Sequence, residues 1–253
     1  MLGNWELLTD RLPLLGCLPA AERDQLLGNA VLQTVPPGTI LFEQGTDPNF
    51  QHIIVAGRVH LFGRSADGRE VVIQVVAAPD LLLPAAVLSA SPYLTQARTL
   101  ETTGILMIHA EAFRSAVFSQ PALVREVIGS LSGQFRRMVR QIKNLKLRTS
   151  IERTGCYILS LSAQQQTPDR AVLPYGKNLI ASELGITPES FSRALGSLQS
   201  HGISVQGDTI EIRDRRSLVA ISAPDPLIDD WEEGSGSVGG VRTGIIDEKE
   251  KRS

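Results

Sequence analysis

The sequence predicts an α+β chain in which a β-rich first half, a long amphipathic helix and a second helical region follow one another. Three observations lead to this prediction. Short Val-, Ile- and Phe-rich runs alternate with turn residues between Val31 and Ile108, a heptad pattern follows Pro121, and two short helical patterns flank Gly185. With 253 residues, of which 42% are hydrophobic, the chain can form one large or two modest hydrophobic cores.

Composition excludes several classes of protein. The formal net charge is −2, so any contact with nucleic acid must come from a local basic patch. No apolar run reaches the roughly 18 residues of a membrane span, and the N-terminus lacks the basic-then-apolar order of a signal peptide. Only Cys17 and Cys156 are present, which argues against a disulfide framework or a cysteine-rich metal site. A cytoplasmic protein without membrane contact is therefore expected.

The first half is predicted to be a β domain preceded by two short helices. The helices are expected over Trp5–Leu15 and Ala20–Leu27. Asp67-Gly68 is suited to a hairpin turn, and the enrichment in β-branched and aromatic residues predicts an antiparallel sandwich or barrel. The expected strands cover residues 32–35, 40–42, 53–55, 59–62, 71–76, 97–100 and 105–108.

A helix of about seven turns is predicted to begin at Pro121. Its apolar residues are spaced alternately by three and four, which is a heptad seam. A helix lying on its own domain could show part of this pattern, but the basic residues on its other faces favour a two-stranded dimer contact. The predicted interface consists of Ile128, Leu131, Phe135, Met138, Ile142 and Leu145.

The stretch Leu173–Leu198 predicts two helices joined by a tight turn. The first helix covers Lys177–Leu184, and Gly185 follows it where a left-handed backbone is easiest for glycine. Thr187 is a suitable N-cap for the second helix, and Pro188 suits its first position. The second helix would bury Phe191, Leu195 and Leu198 and expose Glu189, Ser192 and Arg193.

A short β-hairpin is predicted directly after these helices. Its arms are Ile203–Val205 and Thr209–Ile212, with Gly207-Asp208 at the turn. Helix-turn-helix followed by a hairpin is a winged helix, whose second helix typically enters the DNA major groove. The predicted domains are therefore a β domain over 1–119, a dimerisation helix over 120–147, a DNA-binding domain over 148–222 and a mobile tail over 223–253.

The order of these parts resembles the Crp–Fnr superfamily of bacterial transcription regulators. Matching motifs are Pro37-Gly38 through Phe42 with Gly45, the turn Val55–Val59, and Glu189–Arg193, which is similar to the E-x-x-S-R recognition helix of the Fnr branch. The resemblance implies that the β domain is a double-stranded β-roll of the cupin-like type and that the protein is a homodimer. It also implies that the partners are double-stranded DNA and RNA polymerase, and that the protein has no enzyme activity. A cupin-type metal enzyme using His52, His60 and His109 is the less favoured alternative, since these lack motif spacing.

The resemblance also implies roles for the recognition helix. Arg193 would read guanine, Glu189 would accept from cytosine N4 and Ser192 would contact an adjacent base in a TTGAT-like inverted repeat. Ser190, Thr187 and Lys177 complete the predicted DNA-binding set. Phosphate contacts are expected from Arg136, Arg140, Lys143, Lys146, Arg148 and Lys177.

The sequence defines the effector of the β domain less well than it defines the DNA-binding residues. Cyclic-nucleotide members carry a Gly-Glu pair and an arginine where this chain has Leu83-Pro84 and Tyr93, so no cyclic AMP is expected. An iron–sulfur cluster requires four cysteines, and two are present. The apolar segment resembles that of the family's nitrate-respiration regulators, which leaves two alternatives: a haem-dependent sensor of diatomic gases, with His60 as the first candidate ligand, or a regulator that needs no ligand. The predicted effector pocket consists of His60, Leu82, Leu83, Val87, Leu88 and Tyr93.

Overall fold

A computed structural model describes Thr9 and residues 12–229. Most of the predicted helix Trp5–Leu15 lies outside the described residues. The described chain begins with two helices, α1 (Pro13–Gly16) and α2 (Ala20–Leu27), the second with the predicted bounds. Their buried leucines join one hydrophobic core with the helices that follow the β domain.

Eight strands form the β-roll, in two four-stranded antiparallel sheets. The first has the order β1-β8-β3-β6 and the second β2-β7-β4-β5. Gly57 turns the chain from β3 to β4 with a φ of +83°, and a Cβ there would lie 2.8 Å from Thr103 Oγ1. The strands are β1 (Val31–Val35), β2 (Ile40–Phe42), β3 (Phe50–Ala56), β4 (Arg58–Arg64), β5 (Glu70–Ala77), β6 (Asp80–Leu82), β7 (Gln96–Thr99) and β8 (Thr103–His109).

Two elements of the β-roll were not predicted from the sequence. Strand β6 has three residues, and the helix α3 (Pro84–Ser89) that follows has six. Leu83 joins them in a left-handed conformation, with a φ of 44°. Elements this short contain too few residues to show a periodicity, so the sequence marks them only as an apolar segment.

The long helix is confirmed as α5 (Pro121–Leu147), which follows α4 (Ala110–Ser119). Leu123 and Val127 bury its first turns against the core of the β-roll. Further along, Gln134 Nε2 donates to the carbonyl of Leu81 (2.9 Å) and Gln141 Nε2 to that of Ile73 (2.6 Å). One side of α5 therefore lies against the β-roll.

The second domain is a winged helix-turn-helix. The predicted hairpin, β10 (Ile203–Gln206) and β11 (Thr209–Ile212), is present, and a third antiparallel strand, β9 (Arg170–Val172), pairs with β11. The sequence pattern does not indicate this short third strand. Phe191 and Leu198 lie in the hydrophobic core of this domain. The elements are α6 (Ser150–Gln164), β9 (Arg170–Val172), α7 (Lys177–Glu183), α8 (Pro188–Gln199), β10 (Ile203–Gln206), β11 (Thr209–Ile212) and α9 (Arg215–Ser222).

The segment after α9 differs from the sequence prediction. The composition after Pro224 becomes acidic and then rich in glycine and serine, which predicts a mobile tail. In the structure, Asp229 forms an ion pair with Arg148, and both side chains are at least 90% buried. Residues 224–229 are thus fixed to the body of the protein, and residues 230–253 lie outside the described residues.

Candidate nucleic-acid interface and sensor region

The turn between α7 and α8 has the predicted backbone. Gly185 has a φ of +64°, and the Ile186 amide donates to the carbonyl of Ala181 (2.9 Å). Thr187 caps α8 by accepting a hydrogen bond from the Ser190 amide (3.2 Å), and Pro188 occupies the first helical position. Local residues therefore determine where α7 ends and where α8 begins.

Two other helices contact this turn. Arg153 Nη1 of α6 donates to the carbonyls of Leu184 (2.7 Å) and Gly185 (3.3 Å). A Cβ on Gly185 would collide with the side chain of Leu145 from α5. The positive φ is what favours glycine here, and the Leu145 side chain, which lies over Gly185, links the DNA-binding turn to the long helix.

Helix α8 presents a polar edge to solvent at its N-terminal half. Phe191, Leu195 and Leu198 are buried as predicted, and Glu189, Ser192 and Arg193 are exposed on the other side. Arg193 Nη2 donates to Ser190 Oγ (3.4 Å). The pKa of Glu189 is lowered, first by its own backbone N–H, then by Thr187 and by the charge of Arg193. A carboxylate and a guanidinium therefore stand one helical turn apart on an open face.

The six predicted phosphate contacts are not equally accessible. Arg136 and Lys146 are exposed, and Lys177 is half-exposed at the start of α7. Lys143 Nζ, however, lies 3.5 Å from a carboxylate oxygen of Asp225, and Arg148 is paired with Asp229. Arg148 is therefore unsuited to the predicted phosphate contact in this conformation, since its guanidinium is already bound and buried.

Helix α5 carries an apolar stripe that faces solvent. The exposed fractions are 56% for Ile128, 63% for Phe135, 53% for Met138, 52% for Ile142 and 40% for Leu145. Leu131 differs, because it is half-buried against the core of the β-roll. Five of the six predicted seam residues thus form one open row, which is unusual for large apolar side chains unless another surface covers them.

The structure divides the predicted effector pocket between two cores. Leu82, Leu83 and Tyr93 belong to the interior of the β-roll, where Tyr93 stacks on Phe42 with ring centroids 3.9 Å apart. Tyr93 also donates from its hydroxyl to the carbonyl of Phe50 (3.0 Å). By contrast, the other core, between the first sheet and the helices, contains Val87 and Leu88.

His60 is not brought together with the other predicted pocket residues. It pairs across the sheet with Val75 and Arg98, and its neighbours Val59 and Leu61 are the residues of β4 that point into the β-roll. Since successive side chains of a strand face opposite ways, His60 lies on the outer face. Burial lowers its pKa, and the nearby Arg98 adds to that effect. This placement gives no support to His60 as a ligand inside the pocket.

His52 is the histidine that lies inside the β-roll. It is 4% exposed, its ring centroid lies 5.4 Å from that of Phe42, and it pairs across the sheet with Leu82. Its Nδ1 atom is buried without a hydrogen-bond partner. Burial lowers the pKa of His52 to about 4. The sequence signal was its alternation with Ile54, which shares the same face of β3.

The buried His52 leads to a pH prediction. Its folded-state pKa of about 4 lies below the ordinary 6.5, so the unfolded chain binds more protons between these values. We expect the free energy of unfolding to fall by about 3 kcal/mol from this group as the pH drops from 6.5 to 4, and the loss to level off about one pH unit below 4. Urea unfolding of wild type and His52→Phe across this range measures it. Equal pH slopes in the two proteins would contradict the assignment.

Fold and surface together define a class of protein, a transcription regulator in which a β-roll is joined by a long helix to a winged helix-turn-helix. Two family models match the chain, "Cyclic nucleotide-binding domain" over residues 32–120 and "Crp-like helix-turn-helix domain" over residues 152–221. Among the described residues, no helix is long and apolar enough to cross a membrane, and no group of three or more His, Cys, Asp or Glu residues could hold a metal ion.

Relatives and a solved structure agree with these matches. The "CRP-like cAMP-activated global transcriptional regulator" of Mycobacterium tuberculosis is 23% identical, over 72% of this chain and 84% of its own. "Transcriptional activator protein FnrA" of Stutzerimonas stutzeri is 26% identical, over 73% of this chain and 78% of its own. The structure of FixK2 from Bradyrhizobium japonicum shares the fold with a TM-score of 0.65 and 19% identity, covering 78% of this chain and 98% of FixK2.

The chain belongs to the Crp–Fnr superfamily of bacterial transcription regulators. It is a DNA-binding regulator, and its relatives are transcription regulators, not enzymes. The family assignment confirms the resemblance that the β-domain motifs and the recognition helix indicate.

Proposed function

We propose that the protein is a homodimeric regulator that reads a TTGAT-like inverted repeat through α8. The observation that carries this proposal is the exposed edge of Glu189, Ser192 and Arg193 on a helix whose start is fixed by its cap. Arg193 would donate two hydrogen bonds to guanine, Glu189 would accept from cytosine N4, and Ser192 would contact a neighbouring base. Edge residues of this kind are typical of the Fnr branch.

Residues around the edge would position the helix without reading sequence. Thr187 and Ser190 lie at the N-terminal end of α8, where the helix dipole and hydroxyl groups favour a phosphate. Lys177 at the start of α7 is half-exposed and Arg136 and Lys146 on α5 are exposed, so these three residues can supply positive charge. These contacts account for affinity and for its dependence on salt.

The open row on α5 supports a symmetric dimer. Two copies of α5 packed along Phe135, Met138 and Ile142 would bury the large side chains that one chain leaves exposed. A two-fold axis along this seam would relate two copies of α8, and dimeric helix-turn-helix proteins bind half-sites one helical turn of DNA apart. An inverted repeat is the DNA sequence that matches this symmetry.

A direct binding comparison tests the proposed function. The protein is titrated into a fluorescent duplex with two inverted TTGAT half-sites, into the same duplex with one half-site scrambled, and into one with both scrambled. We expect affinity for the intact repeat to exceed that for the fully scrambled duplex by about 1,000-fold or more at physiological salt. Equal affinities at every salt concentration would contradict the proposal.

The β-roll is proposed to respond to a signal other than cyclic AMP, although the mycobacterial relative is named as cAMP-activated. Leu83 and Pro84 offer no charged group, and Tyr93 is committed to stacking on Phe42. A cyclic phosphodiester needs a cation and backbone donors. We expect calorimetric titration with cyclic AMP to give no heat of binding and operator affinity to be unchanged by it. Micromolar binding would contradict this prediction.

We further propose that the regulator acts in the bacterial cytoplasm and affects transcription through contact with RNA polymerase. Both follow from the proposed function, because the operator DNA and the polymerase share that compartment. Transcription in vitro from a promoter carrying the inverted repeat, with purified polymerase, would show whether bound protein changes transcript yield. No change at saturating protein would contradict the proposed contact.

A further inference from the structure

The chain folds back on itself directly after α9. Ala223 adopts a left-handed conformation with a φ of 45°, and Asp225 then organises a compact turn. The side-chain carboxylate of Asp225 accepts a hydrogen bond from the Leu227 amide (2.8 Å). The backbone carbonyl of Asp225 accepts one from the Asp229 amide (2.8 Å). Residues 223–229, called the strap below, therefore have a defined conformation of their own.

The strap contacts the junction between the long helix and the DNA-binding domain. Arg148 Nη1 and Nη2 donate to the two carboxylate oxygens of Asp229, at 2.8 and 2.5 Å. Arg148 Nη1 also donates to Asn144 Oδ1 (3.2 Å), and Lys143 pairs with Asp225 at 3.5 Å. One two-pronged ion pair and a second, weaker one thus join the strap to the end of α5.

Arg148 lies at the junction between the long helix α5 and the first helix of the DNA-binding domain, α6. It follows the last residue of α5 in an extended conformation, with φ −119° and ψ 145°, and α6 begins two residues later. Its side chain is 6% exposed and that of Asp229 is 10% exposed. A buried charge without its partner is strongly unfavourable, so the pair favours one arrangement of the two helices.

The strap also lies beside the thiol of Cys156 on α6. Cys156 Sγ donates to the carbonyl of Ser222 (3.2 Å), the residue just before the strap. The pKa of Cys156 is raised to about 12, first by burial and next by the negative charge of Asp229. The reactivity of this thiol is therefore a direct reporter of whether the strap is in place.

We propose that residues 223–229 fix the angle between α5 and the DNA-binding domain and so hold the two recognition helices of the dimer at the spacing of the inverted repeat. The strap lies outside both matched family regions, the second of which ends at residue 221. The effect on DNA rests on the proposed function, but docking of the strap does not. The two parts are therefore tested separately.

The first test compares two shortened chains, one ending at Ser222 and one ending at Glu232, both with Cys17→Ser so that Cys156 is the only thiol. Labelling by a maleimide is followed by mass spectrometry. We expect Cys156 to react at least ~10-fold faster in the chain that lacks the strap, because removal of the strap exposes the thiol to the reagent. Equal labelling rates would overturn the proposed docking.

Point variants of the full-length chain test the same docking without shortening the chain, so a folding defect caused by truncation cannot account for their result. Asp229→Asn should also speed labelling of Cys156, and Arg148→Glu combined with Asp229→Arg should restore slow labelling by reversing the ion pair. Asp24→Asn, an exposed aspartate on α2, is the matched control and should label like wild type. Fast labelling in the reversed pair would overturn the role assigned to this ion pair.

The second test measures binding to duplexes with two half-sites and with one. Removing the strap should weaken binding to the inverted repeat by about 10-fold and leave binding to a single half-site unchanged, because only two-site binding requires a fixed spacing. Unchanged affinity for the repeat, with Cys156 exposed, would overturn the fixed-angle inference. Failure of the wild type to prefer the repeat at all would instead contradict the proposed function.

Discussion

Arg193→Ala is expected to abolish discrimination at the guanine of each proposed TTGAT-like half-site while leaving non-specific, salt-sensitive binding nearly intact. The guanidinium lies on the exposed edge of α8, and its contact within the chain is a 3.4 Å hydrogen bond to Ser190. A two-pronged contact to guanine provides about 1–3 kcal/mol, and a dimer makes two, so operator affinity should fall by about 2–6 kcal/mol. Titrations against the wild-type site and a site with that base replaced measure this loss.

The control for this prediction is Arg216→Ala. Arg216 is an exposed arginine of α9 in the same domain, so its removal changes the net charge equally without touching α8. It should retain wild-type discrimination and lose at most a small, sequence-independent part of the affinity. Retained discrimination in Arg193→Ala would show that another residue reads the base.

Phe135→Glu is expected to convert the proposed dimer into monomers. Phe135 is 63% exposed in the single chain and stands in the middle of the open row on α5. In a symmetric interface two carboxylates would face each other in an apolar seam, which costs at least about 4 kcal/mol, or ~1,000-fold in the dimer dissociation constant. Light scattering across a concentration series measures the molecular mass, and the preference for the inverted repeat over one half-site should disappear.

Gly129→Glu is the matched control on the same helix. Gly129 is exposed, a Cβ there meets nothing within 4 Å, and its heptad position lies off the apolar seam. It adds the same charge and should remain dimeric. A dimeric Phe135→Glu protein would place the contact between subunits elsewhere on the surface.

The helix-turn-helix could be predicted closely because its determinants are local. Gly185 ends α7, and Thr187 with Pro188 begins α8, so three residues within a four-residue stretch fix the geometry that the structure shows. The seam on α5 was equally accessible to prediction, since a heptad spacing is a property of one helix. Exposure of these residues in the folded chain, however, depends on what the β-roll covers, as the half-buried Leu131 shows.

The sensor region was harder to predict because its side chains face two different cores. The run Gln51–Val55 is apolar or buried on both faces of β3, since the first sheet lies between the β-roll interior and the helices. Alternation then shows which residues share a face, but not which face is the interior. The sequence therefore does not distinguish His60 from His52 as the histidine of the interior. The alternation of His60 with Val59 and Leu61 indicates only that His60 faces the opposite side of β4 from these two residues.

The strap could not be predicted because its contacts are remote in the sequence. Asp229 binds Arg148, 81 residues earlier, and no local pattern indicates such a pair. The acidic composition after Pro224 is typical of solvated tails, so the sequence favoured mobility. Tertiary contacts overrode that expectation for residues 224–229.

Selection from random duplexes tests the central claim most directly. The purified full-length protein is mixed with a library of duplexes carrying a randomised 30-base-pair core, and bound DNA is recovered and sequenced over several rounds. We expect enrichment of a TTGAT-like half-site with its inverted copy at one fixed spacing, recovered as two chains per duplex. Enrichment of no sequence, or of unpaired half-sites at random spacings, would contradict a symmetric dimer that reads DNA through α8.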